Sequence, residues 1–242
     1  MIRLILVIIF LILFFIISIP IFLILLIIGK INMQTRHKVS LKIVQFALKV
    51  VLFLSGVRLR VFGLEKIPRD RAVLYVANHS GFFDTVAAYS VVPNLTGFVS
   101  KVEMEHIPFL STWMRFVNCL FMDRVNLRAA LKTILEGVKR IQNGISMFIF
   151  PEGTRTLDGT LSPFKEGSLK MASKAQAPIQ PVAMFGTAAI LEDQFPKIRK
   201  GTVTVVFGDP IYTDIMSKAE QKHLGAYTQN VIQKMLDEGP DL

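Results

Sequence analysis

Cysteine, histidine and the glycine-rich motifs of common enzyme classes are scarce or missing in this chain. Cys119 is the only cysteine, so no disulfide can form within the chain and a reducing compartment is expected. The four histidines are scattered, with no cysteine pair beside them, so we predict no metal site and no cofactor. The chain also lacks G-x-S-x-G, G-x-x-x-x-G-K-[ST] and G-x-G-x-x-G, which argues against an α/β-hydrolase elbow and against these nucleotide-binding loops.

Acidic residues are absent from the first 64 positions, since the first of them is Glu65. Those positions carry eight basic residues, a charge of +8, whereas the remainder carries 20 basic and 18 acidic residues, or +2. A basic excess beside an apolar segment suits an anionic lipid surface, at roughly 1 kcal/mol per Lys or Arg near the membrane. We therefore expect membrane lipids, and no nucleic acid, as partners.

A long apolar run occupies residues 2–28, where only Arg3, Ser18 and Pro20 interrupt it. About 20 apolar residues suffice to cross a bilayer, so this run predicts a membrane helix. A straight helix of this length is roughly 40 Å long against a hydrocarbon core of about 30 Å, so it must tilt or bend, and Pro20 is the natural place. A single crossing and a re-entrant hairpin both remain open.

Basic residues follow the apolar run, whereas only Arg3 precedes them. The positive-inside rule then places the carboxyl side in the cytoplasm, at the cell membrane. Residues 39–57 are apolar with Lys42, Gln45 and Lys49 at helical spacing, which predicts either an amphipathic helix at the interface or a helix packed on the domain. We expect a membrane anchor over 1–56 and one cytoplasmic domain over 57–242.

The remainder alternates short β-branched runs with helical stretches, so the predicted fold class is α/β: a mixed sheet of about seven strands flanked by helices, with an N-terminal membrane helix or helix pair. The predicted strands are 58–62, 72–76, 96–100, 119–122, 145–150, 179–184 and 203–207. The predicted helices are 85–92, 109–116, 127–143, 167–175 and 217–236.

Residues 75–84 lead from the end of an apolar strand through a turn to Asp84, just before a predicted helix. A turn that enters a helix can fold Asp84 back toward His79. The carboxylate would then fix the imidazole tautomer and raise the basicity of the second ring nitrogen. An isolated pair at this spacing also suits a helix cap beside an ordinary loop histidine, so the pair alone decides nothing.

Residues 148–156 and 121–125 each extend past the end of a predicted strand, Lys101 follows another, and residues 177–185 form a fourth segment. Residues 148–156 place Glu152, Gly153 and Arg155 in one turn, where glycine admits close approach of a ligand and guanidinium suits phosphate oxygens; an internal Glu152–Arg155 pair is the plain alternative. Arg124 follows the strand at 119–122, and Lys101 follows the one at 96–100. Strand ends are where open α/β sheets collect ligand groups. Residues 177–185 predict core or the wall of an acyl pocket.

Together and in this order, the four segments resemble the four sequence blocks of the glycerophospholipid acyltransferase family, specifically the PlsC-type 1-acyl-sn-glycerol-3-phosphate acyltransferases. The resemblance covers about residues 57–207. It rests on N-H-x4-D at residues 78–84, F-x-D-R at 121–124, F-P-E-G-T-R at 150–155 and the proline-bounded strand at 178–182. F-P-E-G-T-R is the most specific of these strings.

This resemblance implies an acyl transfer from acyl carrier protein or coenzyme A to lysophosphatidic acid, forming phosphatidic acid without an acyl-enzyme intermediate. His79 would act as general base, oriented by Asp84. The substrate-binding residues it implies are Asn78, Lys101, Arg124, Glu152, Gly153, Thr154 and Arg155. Arg124, Lys101 and Arg155 would hold the lysolipid phosphate, and Glu152 with Gly153 would shape the site.

Three positions depart from the family pattern: Asn118 replaces a glycine, Thr156 a serine and Gln180 an aliphatic residue. Asn118 would bring a side chain into space that glycine leaves open near the acceptor site. Three other functions stay open: transfer to glycerol-3-phosphate or another lysolipid, a lipid-binding module without activity, and a thioester hydrolase. The donor, the chain length and the oligomeric state stay open too.

Overall fold

The computed structural model describes residues 1–156 and 160–240. Seven strands form one sheet, and each lies within two residues of its predicted bounds: β1 Val57–Phe62, β2 Leu74–Ala77, β3 Thr96–Lys101, β4 Leu120–Met122, β5 Ser146–Ile149, β6 Ile179–Phe185 and β7 Gly201–Phe207. Their order across the sheet is β1-β7-β6-β2-β5-β3-β4. All neighbours are parallel except β6 and β7, so the predicted mixed sheet is confirmed.

The central strands are buried on both faces. β2 and β5 are buried along their whole length, as expected for apolar runs of parallel strands that helices cover on both sides. Side chains alternate between two cores: Tyr75 and Phe148 face one, and Leu74 and Met147 face the other. β6 is buried apart from its last residue, Phe185, so it forms part of the core.

The helices are α1 Ile2–Ile31, α2 Met33–Ser55, α3 Phe82–Val91, α4 Leu110–Phe116, α5 Leu127–Gln142, α6 Glu166–Ala175 and α7 Leu224–Glu238. Two predicted starts are wrong. α3 begins at Phe82, three residues before the predicted start, so Asp84 lies inside its first turn. α7 begins at Leu224, because the preceding residues Glu220–His223 form a 3-10 helix, whose start is held by hydrogen bonds from Ser217 and Glu220 to each other's side chains.

Helices α1 and α2 form an antiparallel hairpin. Asn32 joins them, and its side chain accepts a hydrogen bond from the Thr35 N–H at 2.9 Å, which caps α2. Val7 near the start of α1 belongs to the same apolar cluster as Leu52 near the end of α2. The predicted helix pair is therefore present.

Helix α2 packs on the sheet domain. The Gln45 Nε2 group donates to the carbonyl oxygens of Tyr89 at 3.1 Å and of Val92 at 2.8 Å, where α3 ends. Leu41 and Leu52 are buried in the core that covers this face of the sheet. Of the two interpretations of residues 39–57, packing on the domain is the one that the structure supports.

Helix α1 lies outside α2 and also contacts the domain. The Ser18 Oγ atom, near the middle of the helix, accepts a hydrogen bond from the Trp113 Nε1–H in α4 at 2.8 Å. Phe22 packs against Trp113 and Phe116, with ring centroids 5.1 and 5.7 Å away. Among the described residues, α1 alone is long and apolar enough to cross a membrane. Its outer face exposes a row of isoleucine and leucine side chains.

The contact between Ser18 and Trp113 predicts a measurable coupling. Ser18→Ala and Trp113→Phe each remove one partner of the same hydrogen bond, which should lower the free energy of unfolding by about 0.5–1.5 kcal/mol. Trp113→Phe should lose more than this, because it also shrinks a buried ring. The double variant should lose less than the sum, because the bond can be lost only once. Denaturant titration in detergent measures this cycle, and strictly additive losses would contradict the hydrogen bond between Ser18 and Trp113.

Candidate active site

The sheet brings the functional segments to one edge. β2, β3, β4, β5 and β6 run parallel to one another, so their carboxyl ends meet at the same edge. His79 follows β2, Glu152 follows β5 and Arg124 follows β4. Segments far apart in sequence therefore share one site.

His79 and Asp84 form a hydrogen-bonded pair. The distance from His79 Nδ1 to Asp84 Oδ2 is 2.7 Å. An ionised carboxylate can only accept, so we assign the Nδ1 proton to the imidazole, which leaves the Nε2 lone pair free. The Asp84 side chain is fully buried, whereas 20% of the His79 side chain is exposed. A base that a ligand can reach is thus held by a carboxylate that water cannot reach.

Two backbone groups fix the Asp84 carboxylate. Oδ2 also accepts hydrogen bonds from the Ser80 N–H at 2.7 Å and the Gly81 N–H at 2.8 Å. Asp84 occupies the first turn of α3, where the helix dipole favours negative charge. Its other oxygen, Oδ1, is buried and has no hydrogen-bond partner in the described part of the chain. The turn and the helix start together orient the carboxylate toward His79.

The His79 ring is also held by packing. It stacks on Phe150, with centroids 4.2 Å apart and planes 16° from parallel. Phe150 immediately follows β5 and contacts Phe148 of that strand. The imidazole is therefore braced by a hydrogen bond at Nδ1 and an aromatic face, which restricts its rotation.

Glu152 supports the backbone of the same turn. Its Oε1 atom accepts the His79 N–H at 2.7 Å, and its Oε2 atom accepts the Ser162 N–H at 2.9 Å and the Thr156 hydroxyl at 3.2 Å. Only 4% of the residue is exposed, and burial raises the pKa of this carboxyl above its ordinary value. With both oxygens engaged, Glu152 acts as a brace between β2 and the turn after β5.

Gly153 lies between two basic side chains. The Arg124 Nη1 group donates to the Gly153 carbonyl oxygen. On the other side, a Cβ added to Gly153 would lie 2.7 Å from Lys165 Nζ, and the backbone here has a φ of +79°, which favours glycine. Thr154, the next residue, is exposed. Sequence reasoning missed Lys165, which stands apart from the strand ends.

Arg155 does not pair with Glu152. Its Nη1 group donates to Glu192 Oε1 at 3.0 Å, and its guanidinium lies 4.1 Å above the centre of the Phe82 ring. The Phe82 N–H donates to the same Glu192 oxygen at 2.7 Å. Sequence reasoning missed Glu192 as well, because it lies in the connection between β6 and β7, outside the four segments.

Two of the predicted binding residues occupy other positions. The Asn78 side chain is 4% exposed and makes both of its hydrogen bonds to the Met184 backbone, at 2.8 and 3.0 Å, so it joins β2 to β6. Lys101 is exposed at the end of β3. Strand alternation puts it on the face of Val99, opposite Phe98, and no hydrogen bond or ion pair links it to the other site residues described here.

Asn118 lies away from the site, so the expected intrusion of its side chain there is wrong. It precedes the amino end of β4, at the opposite edge of the sheet from His79. Its backbone φ is +66°, and its Oδ1 atom accepts a hydrogen bond from Arg140 Nη1 at 2.7 Å. Asparagine tolerates this left-handed conformation better than most residues.

Comparison with known proteins gives concordant matches. The family model described as Acyltransferase matches residues 57–185. A probable 1-acyl-sn-glycerol-3-phosphate acyltransferase of Mycoplasma pneumoniae is 31% identical over 72% of this chain and 69% of its own. A chloroplastic 1-acyl-sn-glycerol-3-phosphate acyltransferase of Brassica napus, BAT2, is 33% identical over 62% of this chain and 44% of its own.

Among solved structures, the crystal structure of the 1-acyl-sn-glycerophosphate acyltransferase PlsC from Thermotoga maritima is similar along nearly the whole chain. The TM-score is 0.75 and the identity is 26%, and the match covers 93% of both chains. The overall fold of this chain is therefore a known one.

Both carboxylate oxygens of Glu152 accept hydrogen bonds, so the isosteric substitution Glu152→Gln should lower the stability of the fold. In Glu152→Gln, the amide group would face an N–H donor whichever way it is turned, so one buried donor loses its acceptor. We expect the free energy of unfolding to fall by about 1–3 kcal/mol. Denaturant titration measures the loss, with Glu65→Gln on an exposed turn as the control. An unchanged stability would show that the hydrogen bonds of Glu152 do not stabilise the fold.

Proposed function

The chain belongs to the acyltransferase family, and we propose that it transfers a fatty acyl group from a thioester donor to the sn-2 hydroxyl of 1-acyl-sn-glycerol-3-phosphate, forming phosphatidic acid. The names of the relatives at 31 and 33% identity support this reaction. The observation that carries it is the pair of His79 and buried Asp84, 2.7 Å apart, at the carboxyl edge of the sheet. The donor is either acyl carrier protein or coenzyme A.

The geometry supports direct transfer. His79 Nε2 takes the proton of the acceptor hydroxyl as its oxygen attacks the thioester carbonyl, and Asp84 stabilises the imidazolium that forms. Collapse of the tetrahedral intermediate expels the thiolate, which takes the proton back from His79. Each step conserves atoms and charge, and the imidazole returns to its starting form.

An acyl-enzyme intermediate on the only thiol is disfavoured. Cys119 is buried, and its Sγ atom accepts a hydrogen bond from the Phe98 N–H at 3.4 Å. Burial raises the pKa of this thiol to about 11, so very little reactive thiolate exists near neutral pH. It also precedes the amino end of β4, at the sheet edge opposite His79.

We assign the acceptor phosphate to basic groups around the turn after β5. Arg124 and Arg155 belong to this set, as the family resemblance implies, and the position of Lys165 beside Gly153 adds it as a further member. Thr154 is exposed at the same turn. Lys101 would complete the set only by reaching over from the neighbouring strand end.

We propose that α1 attaches the enzyme to the cytoplasmic face of the cell membrane. Its outward side exposes large apolar groups, including Ile12 at 53% and Ile16 at 57% exposure. The hydrogen bond from Trp113 to Ser18, halfway along the helix, favours immersion of the hairpin in one leaflet, because a complete crossing would draw the domain into the bilayer. A lipid acceptor could then reach His79 without leaving the membrane surface.

The proposed reaction is tested with a labelled acyl thioester and lysophosphatidic acid. His79→Ala should lower the rate of phosphatidic acid formation by about 10²–10⁴-fold, the usual contribution of a general base. His223→Ala, at an exposed turn, is the matched control and should keep the parental rate. An active His79→Ala enzyme, or thioester consumption without a lipid product, would overturn the proposal.

Membrane attachment through α1 has its own test. Ile12→Arg with Ile16→Arg should reduce cosedimentation with anionic vesicles at least tenfold, because each arginine costs about 2.5–3.5 kcal/mol in a membrane segment. Leu131→Arg with Leu135→Arg, at exposed positions of α5, adds the same two charges outside the hairpin and should bind as the parent does. Equal binding by all three proteins would place the membrane contact elsewhere.

A further inference from the structure

Glu192 lies in the connection between β6 and β7, and its side chain contacts the turn between β2 and α3, called here the catalytic turn. It begins a short 3-10 turn, Glu192–Gln194, between β6 and β7. Its side chain is only 8% exposed and contacts residues of two other segments. It belongs to none of the four segments through which the sequence resembles the family, so its position needs a separate explanation.

One carboxylate oxygen of Glu192 joins the two functional segments. Oε1 accepts the Phe82 N–H at 2.7 Å and the Arg155 Nη1–H at 3.0 Å. Phe82 is the first residue of α3, whose initial N–H groups lack partners within the helix. The adjacent Gly81 N–H holds Asp84. Glu192 therefore binds the strand-end arginine and the helix start that carries Asp84.

The second carboxylate oxygen of Glu192 lies in a position without a hydrogen-bond partner. Oε2 is buried and accepts no hydrogen bond in the described part of the chain. A Cβ added to Gly81 would approach it to 2.7 Å, so the carboxylate is pressed against the catalytic turn. A buried, half-satisfied carboxylate is unfavourable for stability. This arrangement points to a role in the site.

The Arg155 guanidinium is correspondingly restrained. Glu192 engages Nη1, and the guanidinium plane lies over the Phe82 ring at 4.1 Å. Guanidinium has five N–H groups in a planar fork, so donors on Nη2 and Nε remain for an anion. An arginine that is already oriented loses less conformational freedom when it binds phosphate.

Building on the proposed function, we propose that Glu192 is a positioning residue that holds Arg155 ready for the acceptor phosphate and ties it to the turn that orients His79 and Asp84. Recognition of the phosphate then depends on Glu192 although Glu192 itself does not touch it. If Glu192 instead occupied the phosphate site and had to be displaced, removing its side chain would lower KM for the phosphorylated acceptor.

The test compares Glu192→Gln and Glu192→Ala with Asp193→Asn, which removes one negative charge from the same turn without altering these contacts. Steady-state kinetics are measured with lysophosphatidic acid and with monoacylglycerol, its dephosphorylated counterpart. We expect Glu192→Ala to raise KM for lysophosphatidic acid about tenfold to hundredfold while kcat changes little. Glu192→Gln keeps an acceptor oxygen and should fall between. Asp193→Asn should match the parent on both acceptors, and in the Glu192 variants the loss of kcat/KM should be at least about tenfold larger with lysophosphatidic acid than with monoacylglycerol.

Epistasis with Arg155 separates positioning from a general structural effect. In an Arg155→Ala background, Glu192→Gln should cause no further rise in KM, because the group that it positions is gone. An unchanged or lowered KM in the single variants, or an equal loss of kcat on both acceptors, would overturn the assignment of Glu192 alone. A parent enzyme that does not prefer the phosphorylated acceptor would overturn the proposed function together with it.

Discussion

The candidate active site depends on one buried oxygen atom, Oδ2 of Asp84. It accepts three hydrogen bonds, from the His79 ring and from the Ser80 and Gly81 N–H groups, all between 2.7 and 2.8 Å. Because two of these donors belong to the turn between β2 and α3, the backbone sets the position of the carboxylate, and the carboxylate sets the imidazole. Glu152 holds the same turn from β5. The geometry of the proposed catalytic pair is thus set by the sheet and helix framework.

Much of this could be predicted from the sequence. All seven strands described here could be predicted from apolar runs bounded by turn residues, because strands buried on both faces have continuous apolar sequences. His79, Glu152 and Arg124 could be identified because they follow strands whose ends parallel pairing brings together, and Asp84 because it stands beside a predicted helix start. The start of α3 was misplaced because Gly81 has no side chain to cap the helix. Asp84, inside the first turn, accepts the Gly81 N–H, and Glu192 from the β6–β7 connection accepts the Phe82 N–H.

Other features depend on tertiary contacts that no local pattern encodes. Glu192 and Lys165 reach the site from the β6–β7 connection and from the start of α6, so neither has a strand-end signature. Hydropathy detected α1, yet its docking combines aromatic packing on Trp113 with a hydrogen bond from Trp113 to Ser18, 95 positions earlier in the chain. Asn78 was assigned to the site through the N-H-x4-D resemblance, and no local pattern indicates that both hydrogen bonds of its side chain join β2 to β6.

The most direct test of this account is the effect of Asp84→Asn on the pH-dependent rate of acyl transfer. The amide keeps the size of the side chain but loses the charge that stabilises imidazolium, and its NH2 group can favour the wrong imidazole tautomer. We expect kcat to fall by about 10²–10⁴-fold at every pH, with little change in KM for the acceptor. A variant that retains most of the parental kcat would contradict the central role of the Asp84 carboxylate.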